Sequence, residues 1–241
     1  MKRWIVPLAI VAAALGAGFG GGYWYAHSPG TASPGDALPV VGRAPHYRLT
    51  NQLGDTVDSS AFAGKVQVVT FLFPYCTDYC PLIAAHLKSA AKALSDAGLA
   101  DRVVFVAFNV DPEDTGTKVM ARFLKEYGWD PTNTRMQFLT GKPEEIRKVV
   151  TGGFGVDYQK VPESLVDKQE RIGEQHDWYT PPPEVKNRLA REAKPDYDVT
   201  HNDALVLVDT QGRIRKVFQE ADRISDDQLV DAVRRLLAGG R

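Results

Sequence analysis

Residues 66–94 read VQVVTFLFPYCTDYCPLIAAHLKSAAKAL. The run Val66–Phe73 is β-branched, aromatic and apolar on both faces, the pattern of a strand buried within a parallel sheet. From Ile83 the apolar positions change to helical spacing: Ile83, Leu87, Ala90, Ala91 and Leu94 share one face of a helix that stops near Gly98. Between strand and helix lie Cys76 and Cys80, the only two cysteines of the chain. This strand–turn–helix unit decides the fold class, and the rest of the chain repeats its logic.

Upstream, YRLTNQLGDTVDSS (47–60) predicts two short strands around Gly54-Asp55. Downstream, Val103–Val110 is a second buried strand. Asp111 to Thr115 form a turn in which Asp114 and Thr115 read as helix caps, ahead of a helix reaching about Tyr127. Met136–Thr140 is a third strand. Pro143 opens a helix with Ile146, Val149 and Val150 on one face and Gly152-Gly153 at its end. Ala204–Val208 and Ile214–Phe218 pair around Asp209–Gly212, and Ser225 caps a last helix carrying Leu229, Val233, Leu236 and Leu237. Alternation of this kind means an α/β sheet with helices on its faces.

The chain has 241 residues, 24% of them charged and 44% hydrophobic, at a formal net charge of -1. Collagen, long coiled coil and wholesale disorder are excluded by that composition. A near-zero balance supplies no basic field, so no nucleic-acid partner is expected. Two cysteines are too few for a disulfide scaffold and mark a site instead.

At the start, Lys2 and Arg3 precede an uncharged stretch, Trp4–Ala26. As a helix rising about 1.5 Å per residue it is long enough for a hydrocarbon core of about 30 Å. The expectation is an anchor over 1–26, single-pass in a bacterial inner membrane, with the domain facing the periplasm. Tyr23, Trp24 and Tyr25 would sit at the far interface. A cleaved signal peptide is the alternative, with Gly16, Ala17 and Gly18 small enough for a cleavage site. Residues 27–45 are rich in Pro, Gly and Ser and read as a flexible linker to a domain over 46–241. One segment, 159–199, breaks the pattern with nine acidic residues, seven basic residues and five prolines. It has no strong period beyond a possible short helix over 184–192 and reads as an exposed, charged, Pro-rich insertion.

Cys76 and Cys80 fall where a helix begins, a place that stabilises thiolates. Their separation of four brings both sulfurs to one side of the helix start. Two soft thiolates suit Cu(I), and fit Zn(II) less uniquely; they could also oxidise to a disulfide. A soft metal needs a third ligand, and imidazole is the natural donor. Five histidines offer one. His27 is at the expected membrane edge and His46 in the entry segment. His86 is about 240° around the helix from Cys80 and faces away. His176 lies in the insertion. His201 precedes the strand starting at Ala204, among the strand-end loops that gather at ligand sites of α/β sheets. Asp111 reads equally as a carboxylate beside the thiolates or as plain Asp-Pro turn chemistry, and Asp78 as helix-start stabilisation or a recognition group.

Taken together, PYCTDYCP after the first core strand, Asn109–Thr115, Val199–Asp203, Ala63-Gly64-Lys65 and the Asp209–Gly212 hairpin resemble the Sco/SenC family of membrane-anchored, thioredoxin-fold copper proteins. The resemblance covers roughly residues 45–238 apart from the insertion. It implies a copper site from Cys76, Cys80 and His201. It also implies a role in supplying copper to the binuclear centre of cytochrome c oxidase, or in reducing that centre's cysteines. The partner would be the copper-bearing oxidase subunit or another copper protein. Three departures stand out: Pro74 where the family usually has Thr, Thr77 where it usually has Pro, and the insertion, which offers His176 as a competing ligand. A thiol–disulfide oxidoreductase using Cys76 and Cys80 is the alternative function, and a thiol peroxidase on the same fold a third.

Overall fold

The computed structural model describes residues 38–76, 79–162 and 195–239. The expected anchor, most of the linker, Thr77, Asp78 and residues 163–194 of the insertion, His176 included, lie outside these. Among the described residues no helix is long and apolar enough to cross a membrane.

The core is a mixed sheet of order β1-β10-β9-β4-β5-β6-β2-β3. Its strands are β1 (Gly42–Arg43), β2 (Arg48–Asn51), β3 (Thr56–Asp58), β4 (Val66–Leu72), β5 (Val103–Asn109), β6 (Met136–Thr140), β9 (Leu205–Val208) and β10 (Arg213–Phe218). Every residue of β4 and β5 is buried, and the two run parallel with Val66 opposite Val103 and Leu72 opposite Asn109. Burial on both faces explains their unbroken apolar composition. The helices are α1 (Tyr79–Asp96), α2 (Thr117–Glu126), α3 (Pro143–Phe154) and α4 (Asp226–Ala238). Helix α1 packs on α4, α4 on β4, α3 on β5 and α2 on β6. This is the mixed α/β, thioredoxin-like architecture that the sequence predicts.

Strand polarity places the site. β5 is parallel to β4, so the loop after Asn109 leaves at the same sheet end as Phe73. β9 is antiparallel to β4, with Val69 opposite Val206, so the chain enters β9 at that end too. Thr70 Oγ1 donates to Ala204 O at 3.3 Å and ties this entry to β4. Three loops, distant in sequence, therefore converge.

Several expectations change. Gly42–Arg43 pair with Arg213 and Ile214, so the sheet begins upstream of the expected boundary at residue 46. Pro45 packs so closely on Gly153 that a Cβ there would clash with the proline ring. Helix α3 runs past Gly152-Gly153 to Phe154, ending where Gly155 takes a φ of 71°. Asp114 and Thr115 do not cap α2, whose N-cap is Gly116 without a side-chain bond. Thr115 Oγ1 instead donates to Asp111 O at 2.6 Å and accepts from Asn109 Nδ2 at 2.7 Å, knotting the loop after β5.

The ends of the 159–199 segment are also strands. β7 (Tyr158–Pro162) and β8 (Tyr197–His201) form a separate antiparallel pair, with Tyr158 opposite His201 and Pro162 opposite Tyr197. His201 thus ends a strand rather than sitting in a loop. Both strands are short and mostly polar, and their pairing partners are far apart in sequence, so no local periodicity announces them.

Candidate metal centre

Cys76 stands just ahead of α1 and is partly exposed; Cys80 is in the first turn and wholly buried. The helix starts four residues earlier than its apolar period suggests, which draws Cys80 into the core cluster beneath Phe73. The Phe73 N–H donates to Cys80 Sγ at 3.4 Å. Both thiols are free, and Cys76 is near enough to Cys80 to push its thiol up.

The third partner is His201, whose Nε2 lies 3.7 Å from Cys80 Sγ. Its Nδ1 lies 3.1 Å from Asn202 O and 3.9 Å from Asp203 Oδ1. A carbonyl oxygen only accepts, so this network assigns the proton of the neutral ring to Nδ1. The Nε2 lone pair then faces the sulfur, the arrangement a ligating histidine uses. Burial of the ring, 4% exposed, holds His201 below the usual histidine range and keeps that lone pair available.

The thiol chemistry departs from the expectation of a stabilised thiolate. Burial pushes the Cys80 thiol well up, neighbouring Cys76 and Asp203 push the same way, and the Phe73 N–H offsets only part. Removal from water outweighs the favourable helix start. Without a metal Cys80 stays a thiol, and binding one releases a proton.

The donors fit a soft metal ion. Bonds of about 2.3 Å to sulfur and about 2.0 Å to imidazole, the lengths zinc takes, would at a trigonal angle set the two donor atoms about 3.7 Å apart. Among the described residues no three His, Cys, Asp or Glu side chains form a closed metal cluster. The Cys80–His201 pair is in contact, and Cys76 is the member that has to close on it. A groove lined by Glu113, Arg147, Tyr158, Lys160 and Thr200 opens beside His201.

The other expected candidates fall elsewhere. His46 is exposed and pairs with Asp58 at 3.2 Å. His86 turns away from Cys80, as its helical position predicts, with Nδ1 accepting no role at the site but lying 3.0 Å from Ala221 O. Asp111 is buried, and its oxygens meet Lys160 Nζ at 2.7 Å and Tyr197 Oη at 3.0 Å rather than a thiol. Burial raises the Asp111 carboxyl more than Lys160 and Tyr197 lower it. Lys160 and Tyr197 were not legible as site neighbours because they sit in the charged segment. The one signal is that a lysine and a tyrosine there complement the acidic run Asp111-Pro112-Glu113-Asp114.

A thioredoxin-like domain with a buried thiol–imidazole contact at the strand–helix junction, and a second thiol beside it, defines a class of candidate redox or soft-metal proteins. The chain belongs to the SCO1/SenC family, whose profile matches residues 41–180. It is 24% identical over 180 residues to Protein sco1 of Schizosaccharomyces pombe, covering 75% of this chain and 55% of that one. The chain thus spans about half the length of that relative. The structure of Bradyrhizobium japonicum ScoI with copper bound shares its fold at a TM-score of 0.59 and 23% identity, covering 81% of this chain and 99% of that one. BsSco, described as a member of the Sco family of cytochrome c oxidase assembly proteins with a disulfide switch, gives a TM-score of 0.58 at 22% identity, over 83% and 97% of the two chains.

Proposed function

We propose that this chain is a copper metallochaperone that binds the ion through Cys76, Cys80 and His201 and delivers it during assembly of the binuclear copper site of cytochrome c oxidase. The observation that carries this reading is the 3.7 Å approach of Cys80 Sγ to a buried, neutral His201 Nε2. Disulfide exchange gives an imidazole there no role, whereas a soft cation held by two thiolates takes it as a third donor. Family membership and the copper-bound Bradyrhizobium japonicum relative support the choice of metal.

Copper is cargo in this account. Cys76, the partly exposed sulfur, is the first donor an incoming ion or acceptor meets, while buried Cys80 and His201 hold it. Ligand exchange through Cys76 then transfers the ion without a change of oxidation state. The hydrophobic stretch Trp4–Ala26 supports a membrane-tethered domain on the periplasmic side, where tethering raises its effective concentration around a membrane-embedded acceptor such as the oxidase's copper-bearing subunit.

Titrating the reduced full-length chain with Cu(I) is expected to stop at about one equivalent, and the Cys76–Cys80 disulfide form is expected to take up none, because its thiolates are consumed. Uptake by the disulfide form would overturn the site. The alternative, a thiol–disulfide oxidoreductase, draws on one observation: a partly exposed sulfur beside a buried one suits attack by Cys76 and resolution by Cys80.

A further inference from the structure

Among the described residues, the strand that ends in His201 hydrogen-bonds to no strand of the main sheet, and β7 and β8 pair with each other. Something else must seat it. Lys160 Nζ, on β7, lies 2.7 Å from Asp111 Oδ1, Glu113 Oε2 and Asp114 Oδ2. Tyr197 Oη, on β8, lies 2.8 Å from Asp114 Oδ2 and 3.0 Å from Asp111 Oδ2. The Lys160 ammonium also sits 4.7 Å over the Tyr197 ring.

Both ends of this contact are anchored near the site. Asp111 is buried, and its backbone N–H donates to Asn109 Oδ1 at the end of β5. The Tyr197 ring stacks on Phe73 at 6.1 Å, and the Phe73 N–H is the donor to Cys80 Sγ. One set of contacts therefore joins the histidine strand to the loop after β5 and to the residue supporting the thiol. It is no isolated surface ion pair, the kind that contributes little. Asp111 has no exposure, so loss of Lys160 would leave a buried carboxylate without its cation.

We propose that Lys160 and Tyr197 are positioning residues: gripping Asp111 and Asp114, they clasp the β7–β8 strand pair against the sheet and hold the His201 imidazole at the distance copper binding requires. This rests on the reading of Cys76, Cys80 and His201 as the copper site. The clasp touches no ligand. It acts on where one ligand can be, as supporting contacts around metal sites do.

The test is a double-mutant cycle in the reduced full-length chain, with Cu(I) affinity read by competition against a chromogenic chelator. Lys160→Met and Tyr197→Phe are each expected to weaken Cu(I) binding roughly tenfold, the lower end for losing a support to a ligand. Combined with His201→Ala, each is expected to cost nothing further, because the residue they position is gone. A merely structural role would weaken the His201→Ala protein as well. Tyr197→Phe removes one oxygen and keeps the stack on Phe73, so it carries the test if Lys160→Met lowers the melting temperature. Unchanged affinity in both variants, or equal losses with and without His201, would overturn the clasp alone. Unchanged affinity in His201→Ala itself would overturn the copper site and the clasp with it.

Discussion

In the His201→Ala variant, Cu(I) affinity is expected to fall by more than the roughly 100-fold that losing a supporting hydrogen bond can cost, because a ligand itself is removed. The Cys76–Cys80 pair should still exchange with a small-molecule disulfide, since that chemistry runs on sulfur alone. This split separates the two readings of the site. The imidazole is 4% exposed, and its Nδ1 is turned toward the Asn202 carbonyl. Alanine therefore removes a donor fixed in position, and no described histidine takes its place: His46 and His86 are engaged with Asp58 and Ala221. Competition with a Cu(I) chelator measures the first quantity and thiol release the second. Retained copper affinity would contradict the metallochaperone, and loss of both functions would point to a collapsed fold.

Asp209→Ala is expected to destabilise the domain by about 3–5 kcal/mol, the cost of breaking a buried ion pair by removing one partner. Asp209 and Arg215 are 1% and 7% exposed at their side chains, and Asp209 Oδ2 lies 2.8 Å from Arg215 Nη1 and 2.7 Å from Arg213 Nε. Oδ1 accepts from the N–H groups of Gln211 and Arg213, closing the turn between β9 and β10. Without Asp209, Arg215 would keep its charge in the core. Burial alone would raise the Asp209 carboxyl, but the two arginines and these N–H groups outweigh it and hold it below the usual carboxylate range. Its stabilisation is thus complete above the unfolded-state pKa and disappears as pH falls through the lower folded-state value. Urea unfolding should give a reduced midpoint at neutral pH with an unchanged slope, and the gap from wild type should narrow in acid. An equal gap at neutral and strongly acidic pH would refute the ionic origin.

The framework was legible where burial is continuous. β4, β5 and the amphipathic face of α1 follow from apolar runs, because a strand covered on both faces needs nothing else to specify it. The two cysteines stand out by their spacing and His201 by the resemblance of Val199–Asp203, and what the structure adds is the 3.7 Å approach of Cys80 to His201. Hidden in the sequence were features set by distant partners. β7 and β8 are short and polar and are held by Lys160 and Tyr197 meeting Asp111 and Asp114, contacts that no window of local sequence contains. Asp114 and Thr115 carry the composition of helix caps, yet a lysine from another strand and the Asn109 amide claim them first. The expectation of a stabilised Cys80 thiolate fails for the same reason: a helix start favours the thiolate, but the sequence does not reveal that the sulfur is completely buried.

The most direct measurement is X-ray absorption at the copper edge on the reduced full-length chain loaded with one Cu(I). The account predicts a first coordination shell of two sulfurs and one imidazole nitrogen, with the nitrogen lost in His201→Ala. A shell of sulfur alone in the wild-type chain, or a nitrogen that survives that substitution, would contradict it.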